Sequence, residues 1–248
     1  MKDKKPNQRH IDELRKLRSK LSYGDNTTQS ELDLLHDKFS EYKPLADSAG
    51  EIFSLMDSQG KITGLTASRW LCHLLGLRHR SVHVLLQWQS PGMGNVFILQ
   101  VRSWQKSDSP GCIDISVGGH VTTDIASSRV VDSAYREMKE ELGLDRQNLI
   151  GKELLFQTGY ESYDENESKN FYNAEWRDVY LGRLLTQNFN KLKFSDKEVV
   201  GLYLCPESEA KNLLSQTVIP IASALKLSLP FCLHGSSVGI AISENDVV

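Results

Sequence analysis

Apolar residues recur at helical spacing near the start of the chain: Ile11, Leu14, Leu17 and Leu21 form one stripe, and Leu32, Leu35 and Phe39 form another. Residues three and four apart share one face of a helix, so residues 10–42 predict a helical hairpin, with Thr28 and Glu31 spaced as a capping box for its second helix. The hairpin reads as a packing or dimerisation appendage, which leaves a homodimer open. After Pro44 the texture changes. "EIFSLMDSQGKITG" reads as a strand, a tight turn at Asp57 to Gly60 and a second strand, and "TASRWLCHLLG" as a short helix started by Thr66 and stopped by Gly76. Two β-rich runs follow, "VHVLLQWQ" and "NVFILQV", separated by the turn-forming "SPGMGN". A helix is expected over 128–142, burying Val130, Ala134, Met138 and Leu142, and then strands at "KELLFQT", "WRDVYLGRL" and "VVGLYLC". From Pro206 onward the chain reads as helical.

Strands on both sides of a central helix predict an α/β or α+β sandwich in which that helix packs on a sheet. The expected division is a helical extension over 1–45, a main domain over 46–205 and a C-terminal helical segment over 206–248 that packs on it. A chain of 248 residues, 40% of them hydrophobic, can bury one substantial core without a disulfide staple. Its formal charge of −3 lacks the basic balance that general nucleic-acid binding requires. Cys72, Cys112, Cys205 and Cys232 are too widely spaced for a zinc ribbon and too few for a disulfide framework, which suits a reducing cytoplasm. "MKDKKPNQRH" lacks the apolar core of a secretory signal, and "VIPIASALKLSLPFCL" is interrupted by Lys226 and Pro230, so no membrane span is expected.

One stretch sets up an electrostatic conflict. "REMKEELGL", 136–144, places Glu137, Glu140 and Glu141 at i, i+3 and i+4, so three carboxylates project from one side of the helix. They repel one another near a C-terminus marked by Gly143, where the helix dipole is already negative. Each misplaced acid there costs a few tenths of a kcal/mol to about 1 kcal/mol. A hard dication resolves the conflict, because carboxylate oxygens suit Mg²⁺ or Mn²⁺ and leave room to bridge to phosphates. The plain alternative is a solvated face with Arg136 and Lys139 as local partners.

The spacing Arg136, Glu137, Met138, Glu140, Glu141, Gly143, Leu144 resembles the second half of the Nudix box, and "DISVGGHV", Asp114 to Val121, resembles its lead-in. "GLRHRSVHVLL" and "RSWQKSDSPG" are similar to the branch that includes isopentenyl-diphosphate isomerase. The resemblance spans roughly residues 50–205. It implies a Nudix-type α/β/α sandwich with a mixed sheet and Mg²⁺- or Mn²⁺-dependent cleavage of a small-molecule diphosphate. Glu140 and Glu141 are then metal ligands, Glu137 a ligand or the acceptor of the water's proton, and Arg136 a structural partner. Gly118 and Gly119 let the loop approach metal or phosphate, and Arg102 and Lys106 fall where the isomerase holds its diphosphate. His73, His83 and His120 match the isomerase's metal positions, and Glu175 its first carboxylate, so His120, His83 and Glu175 are further candidate metal ligands.

The pattern also breaks. Where the full box has a glycine and a glutamate this chain has Thr122 and Ser128, with a longer loop "TTDIASS" and with Asp124 or Asp132 as replacements for the missing acid. Gly118 stands at the isomerase's cysteine and Arg177 at its second carboxylate, which argues against proton shuttling at carbon. Glu198 stands where many relatives carry a late glutamate. Tyr160, Tyr163, Phe171, Tyr172 and Trp176 flank a polar segment, "ESYDENESKN", read as a loop; the rings suit a cap over a substrate and ordinary core packing equally. The expected function is hydrolysis of a nucleoside or other small organic diphosphate. A catalytically silent ligand-binding module is the alternative, and isomerisation the third reading.

Overall fold

The computed structural model describes residues 8–43, 50–106, 109–123, 129–167, 170–194 and 198–233. Asp124 and Ser128 lie outside them.

The expected hairpin is present as α1 (Gln8–Leu21) and α2 (Gln29–Phe39). Leu14, Leu21, Leu32, Leu35 and Phe39 are buried on its inner face. The Thr28 hydroxyl accepts from the Glu31 N–H at 3.2 Å, but the Glu31 carboxylate does not close the box; it takes Lys20 at 2.7 Å and the Thr27 hydroxyl at 2.9 Å. An ammonium within reach is the stronger partner for a carboxylate than a backbone amide.

β1 (Ile52–Met56) and β2 (Ile62–Ser68) form an antiparallel hairpin. Its turn is held by Asp57, whose carboxylate accepts from the Gln59 and Lys61 N–H groups, each at 2.8 Å. The next helix, α3 (Arg69–Leu75), starts later than expected, with Ser68 rather than Thr66 at its N-cap. Thr66 is paired with Ser54 in the β-ladder, and sheet pairing keeps it extended. The hairpin α1–α2, β1 and α3 share one hydrophobic cluster containing Phe39, Phe53, Leu55, Leu71 and Leu75. The N-terminal helices are therefore seated on the sheet domain by a common core.

β3 (His79–Ser90) is the spine of a mixed nine-stranded sheet. Along one edge it pairs in parallel with β8 (Phe171–Leu184), which pairs in turn with β7 (Leu155–Asn166). It also pairs antiparallel with β1, β6 (Val117–His120) and β4 (Gly94–Arg102). β4 carries β5 (Ile113–Asp114) and β9 (Val199–Pro206). Alternation along β3 sends Val82, Val84 and Leu86 to one face and Leu85 to the other. α4 (Val130–Leu142) covers the first face with Val130, Ala134, Met138 and Leu142, the four residues the helical period selects. α5 (Ala210–Ser215) and α6 (Ser223–Ser228) cover the second with Leu213 and Leu225.

The segment read as a polar loop is a correction. β7 runs to Asn166, in register with β8 from Leu155↔Leu181 to Asn166↔Phe171, so most of "ESYDENESKN" is strand. A strand polar on both sides has no period-two signal to read, and the ladder to β8 supplies what its sequence does not. No described helix is long and apolar enough to cross a membrane.

If the N-terminal hairpin is part of the core, Phe39→Ala leaves a cavity in the cluster it shares with β1 and α3 and lowers the unfolding free energy by about 3–5 kcal/mol. Urea denaturation checks this; an independent appendage would leave the midpoint where it was.

Candidate active site

The three glutamates meet different environments on α4. Met138 and Leu142 face the sheet, so Glu141, three residues on from Met138 and next to Leu142, is drawn inward and is 4% exposed, while Glu140 stays in solvent. Glu137 is partly covered by β6, where Gly119 pairs with Val82 on the α4 face of the sheet. A Cβ at Gly119 would lie 2.1 Å from the Glu137 carboxyl carbon, so any side chain there would displace the carboxylate. Gly143 ends α4 at φ 69°, its N–H donating to the carbonyls of Lys139 and Met138.

Arg136 fixes this corner. Its guanidinium donates to the Glu137 Oε1 and to the His120 carbonyl, both at 2.9 Å, and to the Thr122 hydroxyl at 3.1 Å. Burial pushes the Glu137 carboxyl up to about 7; Arg136 opposes the rise, and the negative charges of Glu140, Glu51 and Glu198 add to it. Glu198 in turn binds the Lys106 ammonium at 2.6 Å, and Arg102 donates to Asp114 at 2.9 Å. Both expected anion-binding cations are thus held by carboxylates, Lys106 within the electrostatic reach of the acidic cluster. Glu51, paired with Arg69 at 2.7 Å, joins that cluster from β1's edge, and no spacing in the sequence announces it.

The opposite face of the sheet carries a second group. His120 and Glu175 project there, and the His120 Nε2 lies 3.1 Å from the Glu175 Oε1. The ligand nitrogens of His73, His79 and His120 all lie within 4.8 Å of one another. His79 shares its Nδ1 with the Leu77 carbonyl at 2.9 Å, which leaves Nε2 turned inward; the Nε2 atoms of His73 and His79 are buried without a hydrogen-bond partner. Burial, then the neighbouring imidazoles, lowers both histidines, His79 to about 4, so both are neutral and have lone pairs to offer. Burial alone would raise the Glu175 carboxyl, but Arg177, which donates to it at 2.6 Å, and His120 outweigh that and hold it well below the usual range. Phe53 stacks on the rings of His79 and His120, at 4.8 and 4.5 Å.

No protein-family model matches the chain. Nudix hydrolase 3 of Arabidopsis thaliana is 32% identical to it over 170 residues, covering 68% of this chain and 21% of the plant protein. The crystal structure of DR0079 from Deinococcus radiodurans superposes with a TM-score of 0.50 at 17% identity, over 71% of this chain and 95% of that one. The chain belongs to the Nudix hydrolase superfamily. It spans 21% of the length of its plant relative, and the likeness to DR0079 is one of fold.

Within that frame several site residues change position or role. The Nudix box's first glycine is replaced by Thr122, and its hydroxyl is a partner of the Nudix arginine, Arg136. Asp132 does not take the place of the missing glutamate beside Arg136: it binds Arg129 and Arg146, as a first-turn acid does. Gly118 faces away from the Nudix helix, where a Cβ would meet Ile115 at 2.9 Å. His83 sits on the face of His79 and His120 but deeper in the sheet, its Nδ1 2.8 Å from the Ser228 hydroxyl, and burial lowers it to about 3. Its expected place beside His73 and His120 is taken by His79, which shares its sheet face; α3 brings His73 over the end of the strand where His79 lies, and side-chain alternation cannot distinguish two residues on one face.

A carboxyl raised in the folded state destabilises the fold as pH climbs from the unfolded value through about 7. With EDTA present, Glu137→Gln removes a penalty of up to about 3 kcal/mol. Thermal melts should therefore show the variant more stable than wild type at pH 8 and equal to it at pH 4; identical curves at both would show that Glu137 ionises normally.

Proposed function

We propose that this chain hydrolyses a diphosphate linkage in a nucleoside or other small organic diphosphate, assisted by a divalent cation. The observation that carries the reading is the spacing of Glu137, Glu140 and Glu141 along α4, with Gly119 bare against the Glu137 carboxylate and Arg136 bonded to it. The donor set fits a hard dication: oxygens only, like charges crowded together, and a glycine cradle beside them. Glu140 and Glu141 would hold Mg²⁺ or Mn²⁺, which supplies charge neutralisation at phosphate oxygens and a lowered pKa for water.

The remaining roles belong to the chain itself. Glu137, with its carboxyl raised to about 7, is suited to take a proton from the attacking water near neutral pH. Arg136, bonded to the Glu137 Oε1, orients that base. Lys106 and Arg102 anchor the diphosphate oxygens; Lys106 has three N–H donors, so pairing with Glu198 leaves others to share. The histidine group, with the buried Nε2 atoms of His73 and His79 lacking hydrogen-bond partners, fits a softer ion such as Mn²⁺ or Zn²⁺ at His73, His79 and His120, with Glu175 alongside. Four widely spaced cysteines support a cytoplasmic setting. Isomerisation is disfavoured because Gly118 and Arg177 stand where a thiol and a second carboxylate are needed.

Two measurements test this. A panel of organic diphosphates with Mg²⁺ or Mn²⁺ should include at least one that is turned over, and Glu141→Gln should slow it about a hundredfold or more. Normal metal uptake with no turnover across the panel would leave a silent binding module instead. Separately, Mn²⁺ titration of the His79→Asn variant should lose one class of site while Glu141→Gln keeps it; unchanged uptake in both variants would remove the histidines from the metal chemistry.

A further inference from the structure

β7 is an edge strand. It runs for 12 residues and, among the described residues, pairs with β8 alone, so the N–H and C=O groups along its outer side form an open template for another strand. Sheet proteins close such edges with proline or lysine, and Leu155–Asn166 contains neither. Apolar side chains are left in water there as well: Phe156 is 58% exposed and Tyr163 54%, and Leu155 and nearby Ile150 are exposed too. Phe156 pairs with Tyr180 and Tyr163 with Ala174, an even number of positions apart on β8, so the two rings stand on one face of the sheet.

The two halves of this edge differ in charge. Glu161, Asp164 and Glu165, with Glu167 just beyond, make the second half acidic, while the first half is apolar at Ile150, Leu155 and Phe156 and has Lys152 beside Glu153. Parallel pairing of two copies would set acids against acids, which destabilises a ladder; antiparallel pairing sets the acidic half of each copy against the apolar half of the other. Counted about Tyr160, such a ladder puts Glu161 opposite Gly159, Ser162 opposite Thr158 and Tyr163 opposite the bulge that follows Phe156. The bulge takes up one residue, and beyond it Asp164 meets Leu155 and Glu167 meets Lys152. The exposed rings of one copy thus lie across from those of the other on the same face, and Glu167, which has only the exposed Arg15 at 3.8 Å in its own chain as an ion-pair partner among the described residues, gains a lysine.

We propose that the outer edge of β7 is a two-fold interface on which a second copy of this chain pairs, carrying the nine-stranded sheet of each copy on into the other. The interface is isologous: each copy supplies both the acidic and the apolar half, so the same contacts form twice. It goes beyond the diphosphate reading and does not depend on it.

The test is sedimentation equilibrium of the full chain over a range of concentrations at low salt, with thermal melts to check that each variant is folded. Wild type should associate to a dimer, and Phe156→Asp should raise its dissociation constant about tenfold or more. Lys152→Glu and Glu167→Lys should each weaken the dimer by about two- to tenfold, and the two together in one chain should restore it, because each copy then offers the reversed pair. Should Phe156→Asp not fold, the charge swap at the two surface positions decides alone. A monomer at every concentration overturns the interface; if its β7 amides are nevertheless protected from hydrogen exchange, another part of the same chain covers the edge. A dimer indifferent to these variants, or a double variant no tighter than the single ones, overturns it as well.

Discussion

The guanidinium of Arg136 joins three groups that the chain supplies from separate places: the Glu137 carboxylate beside it, the His120 carbonyl at the end of β6 and the Thr122 hydroxyl beyond it. Charge-assisted bonds of this kind are stronger than neutral ones and fix direction as well as distance. Through them α4 is registered against β6, and β6 against β3, so the acidic helix and the glycine strand cannot slide apart independently. Glu137 is half enclosed with its nearest cation already in place. Without that cation the burial that raises its carboxyl would go unopposed.

β6 shows how much four residues can settle. Its alternation sends Gly119 toward Glu137 and His120 toward Glu175, so one short strand borders an oxygen-rich group on one face of the sheet and a nitrogen-rich group on the other. Acids gather on the first face because α4 is amphipathic and ends there. Imidazoles gather on the second because α3, β3 and β6 meet around Phe53, where burial keeps His73 and His79 uncharged. The two chemistries stay apart because the sheet lies between them.

Some of this was legible along the chain. The buried stripe of α4, the strands β3, β4, β8 and β9 and the tight turn at Asp57 all follow from periodicity and turn chemistry, which are local. The glutamate spacing pointed to the helix and to the family. His79 was not legible as the partner of His73 and His120, since His79 and His83 share a face and differ only in which of them α3 covers. Asp132, a plausible stand-in for the missing acid, turned to Arg129 and Arg146 because both lie within reach of the first turn of α4. Glu51 entered the acidic group only through the fold.

By itself, then, the chain determined which elements form and which residue types sit on each face, because those depend on spacing over a few positions. The tertiary structure decided which faces meet: that Gly119 backs Glu137, that His79 completes the imidazole group and that the polar segment after Tyr160 becomes a strand against β8. Each of these is a contact between segments far apart in the sequence. Such contacts depend on how whole layers pack and on what each buried charge finds when it arrives, and no local pattern records that.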